Sequence, residues 1–511
     1  MKIIPKPNGI CTKRTGSLPA YLVKGANLGG FPAWILQAFA ARSGLSTKPV
    51  PQQQARMHFV QDAALGAEAY RLTVYDDGIM IAASSERGAV WALTSLYTLM
   101  EDDGFPYVTI EDTPKYAHRG FMLDCARHFF PVDVVKAIIE QNALLKLNVF
   151  HWHLTDDQAW RIESKRFPQL HTYGGQAYYT QSEIKEVVEY AAVRGVEVIP
   201  EIDMPGHTTA MIAAFPQLSC KAKAVVPPKK GGIYKTILCA GKDDTYTFLR
   251  ELLDEVCPLF PSPHFHLGGD EAPKDEWQNC PHCRAKLASC GGQNYEDLQG
   301  FFTQALAEML AANGKMPVLW NDVLKSDILP EPFSLQHWVE MADIDRTRPY
   351  LAKGGSVVFS DMFHLYFDYP LIFTGLQRVY SYTPQCKGND FTAHTGTAGI
   401  EACLWSERVA DAETLYKQIY PRLFALAEAA WTNERNYNCF EARLAHRLKQ
   451  FPLAYTPISE SNPEGAARLA AIQQYTQYAI AAAGANDNAP VFTPEMIQQF
   501  LAGFDISIPI E

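Results

Sequence analysis

Apolar positions in the middle of this chain follow two alternating rhythms. Between residues 114 and 435, short stretches that are continuously apolar or alternate with period two are followed by stretches with apolar residues three and four apart. The short stretches read "RGFMLDC", "NVFHWHLT", "VEVIPEID", "HFHLGGDE", "MPVLWND", "SLQHWV", "SVVFSD" and "AGIEACLW". Between most of them lie amphipathic helical patterns such as "PVDVVKAIIEQNALLKL", "SEIKEVVEYAAVRG" and "NYEDLQGFFTQALAEMLAANG". Strand–helix alternation implies parallel strands joined by helical crossovers. Eight strands over roughly 320 residues predict a (β/α)8 TIM barrel. A doubly wound sheet is the competing arrangement, but no Gly-rich phosphate loop follows any of these strands.

The flanking segments carry different patterns. Alternation through "YRLTV", a "DDG" turn and "IMIAA" predict a hairpin, and a helix follows over residues 86–100. Residues 1–113 are therefore expected to form a small α+β domain and 114–435 the barrel. Residues 436–511 are expected to form a helical extension, in which "EGAARLAAIQQYTQYAIAAAG" is one helix and "ANDNAP" a turn or linker. The overall class is α/β.

Composition narrows the partners. The net charge of −11 argues against nucleic acid or an anionic membrane, since both reward a basic surface. No run of 18 or more apolar residues predicts a membrane-spanning helix. The opening "MKIIPKPNGICTKRTG" lacks the apolar run of a signal peptide, and Pro5 and Pro7 interrupt it early. Together with eleven scattered cysteines, an odd number, this favours reduced thiols and a cytoplasmic location.

A barrel places chemistry at the C-terminal ends of its strands, and polar residues collect there. Strand one leads to Asp124, Arg127 and His128, and strand two to His151, His153, Asp156 and Asp157. Strand three leads to Glu201, Asp203 and His207, and strand four to Asp270 and Glu271. Strand five ends in Trp320, Asn321 and Asp322, strand six in His337 and Trp338. Strand seven leads to Asp361, His364, Tyr366 and Asp368, and strand eight to Trp405 and Glu407.

The pair Asp270–Glu271 is the sharpest of these. An isolated "DE" before a helix ordinarily just complements the helix dipole. Here "GG" precedes it at a strand end, so the chain can bend and bring both acids to one place. Sequence neighbours do not easily face each other across a substrate. They can share one side of it, one donating a proton while the other holds a nucleophile that the substrate itself supplies.

Three further groups compete for attention. His151 and His153 point to one face of a strand, and with Asp203 and His207 they could hold zinc for hydrolysis. The plainer alternative is a hydrogen-bonded pair such as His207 with Asp156. Cys280, Cys283 and Cys290, with His282, hint at structural zinc, but such a site wants four ligands and no second matched pair is evident; no metal is expected. Trp320, Trp338 and Trp405 end three strands. Each alone reads as core packing, but together they could wall a pocket for a methyl-bearing group.

In this order, "RGFMLDCARHFF", "NVFHWHLTDDQAWRIE", "EVIPEIDMPGHT", "HLGGDEAP", "LWND", "LYFDY" and "EACLWSE" resemble the family 20 glycoside hydrolases, the β-N-acetylhexosaminidases. The likeness runs from about His118 to Trp431, and the N-terminal domain resembles the one that precedes that family's barrel. The resemblance implies an exo-acting, retaining hydrolase of terminal β-linked GlcNAc, or GalNAc, on oligosaccharides or glycoconjugates, needing no cofactor. It implies Glu271 as general acid/base, its pKa raised by a dry pocket and by Asp270, and Asp270 as the residue orienting the 2-acetamido group, whose oxygen attacks the anomeric carbon to give an oxazolinium intermediate. Arg127 and Glu407 would hold the 3- and 4-hydroxyls and Asp368 the 4- or 6-hydroxyl. Tyr366 would bond the acetamide carbonyl, and Trp320, Trp338 and Trp405 would enclose its methyl group. Asp156, Asp203 and His207 would support the pair. Tyr382 stands where the family often has another Trp. The tail has no counterpart in this likeness, and a homodimer remains open. A metal-dependent hydrolase and a sugar-binding relative without catalysis are the two rivals.

Overall fold

The computed structural model describes residues 2–12, 15–45, 47–101, 104–339, 346–386, 389–484 and 494–506. Its centre is a closed barrel of eight parallel strands. These are β1 (His118–Asp124), β2 (Val149–His153), β3 (Glu197–Glu201), β4 (His264–His266), β5 (Met316–Trp320), β6 (Ser334–His337), β7 (Ser356–Phe359) and β8 (Thr397–Leu404). Each strand pairs with the next, and β8 closes on β1 with Arg119 opposite Ile400. The alternation read from the sequence is the pleat of these strands. On β2, Phe150 and Trp152 face outward into the core under the helices, while His151 and His153 are buried on the other side, against Glu201 and Glu401.

The barrel interior is consequently polar, where aliphatic side chains commonly fill it. Glu201 receives His151 at 3.1 Å and His153 at 2.5 Å on one oxygen and His266 at 3.0 Å on the other, and the indole of Trp320 donates to that second oxygen at 2.8 Å. Glu401 takes His151 and His118, both at 2.8 Å, and the Gln336 amide at 2.7 Å. Burial would raise both acids, but these imidazoles hold them below the usual carboxylate range.

Helices start where the sequence supplies caps. Thr180 and Glu183 form a reciprocal capping box for Gln181–Ala192, and Asn294 caps Tyr295–Ala312. The N-terminal domain is a seven-stranded mixed sheet containing the expected hairpin, Tyr70–Tyr75 with Gly78–Ala83, closed with Tyr75 opposite Gly78. The helix Glu86–Leu99 packs against it, its first turn capped by Ser85.

The sheet sits under the N-terminal end of the barrel, and charges join the two. Glu68 accepts from Arg119, from the Asn148 amide at 2.8 Å and from the Trp91 indole at 2.9 Å. Asp112 takes Lys146 at 3.2 Å, the Tyr70 hydroxyl at 2.8 Å and the Trp431 indole at 3.0 Å. Trp431 ends the helix Arg422–Trp431, which is buried on every face.

The tail packs on the barrel. Helices Gly465–Gly484 and Pro494–Gly503 enclose Ile472, Ile497, Leu501 and Phe504 with Phe373 from the loop after β7. Arg378 fastens the second helix through the Gly503 carbonyl at 2.8 Å and Asp505 at 2.5 Å.

Candidate active site

The turn after β4 is set by close approach. Gly268 has φ of +66°, and a Cβ there would lie 1.8 Å from Oδ1 of Asp203, so glycine is required twice over. The next amide, of Gly269, donates to that same Asp203 oxygen at 2.9 Å, and Gln299 holds the Gly269 carbonyl at 2.6 Å. Glu271 then takes φ of +46°, a left-handed conformation uncommon for a side chain other than Gly, Asn or Asp. The bend turns both acids toward one group. Nε2 of His207 lies 3.6 Å from Asp270 and 3.6 Å from Glu271.

His207 is held from behind by Asp156, whose Oδ1 is 3.2 Å from Nδ1. Asp156 also takes Arg127 at 2.8 Å and His153 at 3.0 Å. Burial would push Asp156 up, but Arg127 and His207 drive it far below the usual range. Burial would likewise strip His207 of its proton, but Asp156 outweighs it and holds the imidazole well above its ordinary pKa.

Arg127 is placed by Asp124. One carboxylate oxygen accepts the amides of Ala126 and Arg127, at 2.8 and 3.1 Å, and the other accepts the amide of Ser406 at 2.9 Å. A single buried acid therefore registers the loop carrying Arg127 against the loop carrying Trp405 and Glu407. The guanidinium lies 4.9 Å over the Trp405 ring and 3.8 Å from Glu407.

These groups open into a cavity of about 200 Å³ lined by Arg127, Asp156, Asp203, His207, Asp270, Glu271, Trp338, Tyr366, Asp368, Tyr369, Trp405 and Glu407. The aromatic wall is ordered by contacts beneath it. Trp338 stacks at 12° on Tyr366, donates its indole N–H to Asp322 at 2.8 Å and is held at its amide by Asn321. Tyr366 in turn stacks on Tyr369. Eleven of the twelve expected site residues line this space. Trp320 lies one layer deeper, packed 5.9 Å from Trp405 and fixed on Glu201. Tyr369 was not singled out in the sequence, although it closes the "LYFDY" motif. Tyr382 is buried against His364 and lies outside the lining.

Electrostatically the mouth is poised between protonation states. Burial, assisted by the neighbouring Glu271 carboxylate and opposed by His207, raises Asp270 to about 7. Burial and Glu407 raise Asp368 to about 7 as well. Asp270 is the deeper of the two acids. Nε of Arg127, Nε2 of His207, Oδ1 of Asp270 and Oδ1 of Asp368 are buried with no hydrogen-bond partner among the described residues. Donors and acceptors of this kind favour a ligand that supplies the missing half of each bond.

The metal alternative fares less well. Both ring nitrogens of His153 face carboxylates. Asp203 and His207 group with Asp270, while His151 groups with Glu201 and His266, so the four residues do not converge on one ion. A larger cavity of about 740 Å³ lies at the opposite end, between the N-terminal sheet and the starts of β3 and β4. It borders Glu68 and Glu197, both paired with Arg87, and holds no comparable cluster among the described residues.

A parallel eightfold barrel with an acidic, aromatic-walled pocket at its C-terminal end defines the class, that of a barrel hydrolase. The catalytic-domain model of glycosyl hydrolase family 20 matches residues 116–434, and that of the family's domain 2 matches residues 1–113. The chain belongs to glycosyl hydrolase family 20. It is 34% identical over 410 residues to a beta-hexosaminidase of Porphyromonas gingivalis, covering 72% of this chain and 51% of that protein. A beta-N-acetylhexosaminidase structure from Bacteroides fragilis superposes with a TM-score of 0.81 at 30% identity, over 90% of this chain and 99% of that one. An exo beta-N-acetylglucosaminidase from Vibrio harveyi, in complex with N-acetylglucosamine, gives 0.79 at 28% identity, over 89% of this chain and 78% of that one.

Proposed function

We propose that the protein is an exo-acting, retaining β-N-acetylhexosaminidase that uses the substrate's own acetamide as nucleophile. The observation that carries this reading is the placement of Asp270 and Glu271 on one side of the cavity, both against His207. Two carboxylates acting by direct displacement face each other across the sugar, about 5 Å apart. Neighbours on one bent turn suit the substrate-assisted route instead.

In that route Asp270 accepts the acetamide N–H and holds the group so that its carbonyl oxygen faces the anomeric carbon. Trp338, Tyr366 and Trp405 enclose the methyl group and exclude water, and the Tyr366 hydroxyl donates to the acetamide oxygen. Glu271 gives its proton to the departing glycosidic oxygen as the C–O bond breaks and the oxazolinium ring closes. The same carboxylate then takes a proton from water, which attacks the anomeric carbon from the face the leaving group vacated, so the configuration is retained. His207, kept charged by Asp156, steadies both acids. Arg127 and Glu407 hold the ring hydroxyls at the closed end of the pocket, with Asp368 beside them. A pocket of this size takes one terminal sugar, which accounts for exo action.

The test compares nitrophenyl β-GlcNAc with nitrophenyl β-glucoside, with a thiazoline mimic of the oxazolinium as inhibitor. Turnover of the first only, blocked by the thiazoline and unchanged by brief EDTA treatment, is the expected result. Equal turnover of both sugars overturns acetamide participation.

A further inference from the structure

Behind the catalytic turn, two loops bring four cysteines together. Cys280 and Cys283, with Cys290 and His282, lacked a second pair in the sequence; the fold supplies it from the loop between β3 and the helix Asp243–Val256. Cys220 and Cys239 are nineteen positions apart there, but a bridge between Ser219 and Leu238 folds their segments antiparallel, and the Cys239 amide donates to the Leu218 carbonyl at 2.8 Å. Sγ of Cys239 lies 3.5 Å from that of Cys283 and 3.9 Å from that of Cys280, and Cys220 lies 3.7 Å from Cys283. All four sulfurs fall within 4.8 Å of one another.

Those separations are too long for a disulfide, which needs about 2.05 Å. They match the corners of a tetrahedron around zinc, where Zn–S bonds of about 2.3 Å set the sulfurs about 3.8 Å apart. Cys290 and His282 do not join the group.

The surrounding backbone is built for close approach. A Cβ on Gly241 would lie 2.2 Å from the carbonyl carbon of His282 and 2.3 Å from the amide nitrogen of Cys283, so the first loop presses directly on the second. The Trp277 indole donates across the same seam to the Leu238 carbonyl at 2.8 Å. Cys280 precedes the helix Pro281–Ser289 and Cys283 lies in its first turn, where the helix dipole favours thiolate. Cys239, Cys280 and Cys283 are buried and Cys220 half-buried.

We propose that Cys220, Cys239, Cys280 and Cys283 bind one Zn²⁺ in a closed, structural tetrathiolate site. Four protein ligands leave no open position for substrate, so the ion acts on the fold. The first loop carries Asp203 and His207 toward its start, and the second begins with Asp270 and Glu271. The ion pins the far ends of both loops together and so fixes His207 against the acid pair. Binding releases the thiol protons, so occupancy falls at low pH.

The full-length protein, expressed with zinc supplied and purified without chelator, decides the matter by elemental analysis. About one Zn²⁺ per chain is expected, retained through EDTA dialysis and released by an organomercurial as it titrates four thiols beyond those that react before release. Cobalt substitution should give strong sulfur-to-cobalt charge-transfer absorption and tetrahedral visible bands. Cys290→Ser should leave metal content unchanged, and Cys283→His should keep the metal with a spectrum of three sulfurs. Cys283→Ser should lose it; should that variant fail to fold, the cobalt spectra of the parent and of Cys283→His decide. Folded protein with less than about a tenth of an equivalent of zinc, and with no group of four thiols that reacts only as zinc leaves, overturns the proposal. So does a disulfide within the four, or a cobalt spectrum without thiolate ligands.

Discussion

At the foot of the barrel, Glu68 accepts hydrogen bonds from Arg119, Asn148 and Trp91. At the mouth, Asp270 keeps an oxygen with no hydrogen-bond partner among the described residues. Burial raises the pKa of both acids. At Glu68 the guanidinium groups of Arg119 and Arg87 reverse that rise and hold it below its ordinary value. At Asp270 the opposing cation, His207, is already bound to Asp156, and the acid stays near 7. The same desolvation is offset at a domain junction where charges are matched, and leaves unsatisfied polarity where they are not. The unmatched end is where a substrate can be recognised, since it supplies what the protein withholds.

The sharpest way to break this comparison is at the mouth. Glu271→Gln should lower kcat/KM on a β-linked GlcNAc disaccharide by about 10²–10⁴, the usual contribution of general acid–base catalysis. A nitrophenyl substrate, with its better leaving group, should lose less.

Asp270→Asn separates stability from activity. An acid raised to about 7 contributes stability that is present below the unfolded pKa of about 3.9 and lost as pH climbs through 7. Asparagine removes that loss. The variant should therefore resist denaturant better than the parent at pH 8, by on the order of 2–4 kcal/mol, with the gain vanishing toward pH 4. Its activity should fall at least a hundredfold. In the parent, kcat/KM should decline as pH drops below about 7, as Asp270 loses the charge that accepts the acetamide N–H; in the variant that acid limb should disappear. Urea titrations and pH–rate profiles read both.

At the foot the signs invert. Glu68→Ala leaves Arg119 buried and unpaired, which should cost about 3–5 kcal/mol in urea unfolding. The KM of the surviving folded enzyme should not change. The smallest effect is expected at the tail. Arg378→Ala loosens the helix Pro494–Gly503, whose Phe500, with Phe504 just beyond its end, packs 5.8 and 5.4 Å from Tyr369 in the cavity wall. It should cost under about 1 kcal/mol of stability and raise KM less than about threefold at constant kcat.

The eight strands were legible because each carries an apolar pleat and ends in polar residues, and neither signal depends on the rest of the chain. The acid pair was legible for a similar reason, since "GGDE" bends within four residues. What stayed hidden is what only closure of the barrel creates. Glu201 reads only as one polar strand end among eight and Glu401 as a routine strand residue, until His151, His153 and His266 arrive from other strands to share them. Cys220 and Cys239 lie 60 and 41 positions from Cys280, and no local pattern ties them to it. Tyr369 gains its place through stacking on Tyr366 and through the tail, which the sequence shows only as an Ala-rich helix of no evident chemistry.

The helix Arg422–Trp431 has a consequence for how the molecule comes apart. At its start, Arg422 bonds the carbonyls of Tyr369 and Thr374, beside the cavity. At its end, Trp431 sits in the core of the N-terminal domain and donates to Asp112. Ten residues, about 15 Å of helix, therefore belong to both units at once. Neither unit can melt without exposing the other's interior. Calorimetry should show one endotherm for both, and a chain cut between residues 113 and 116 should yield two fragments that remain soluble only when mixed.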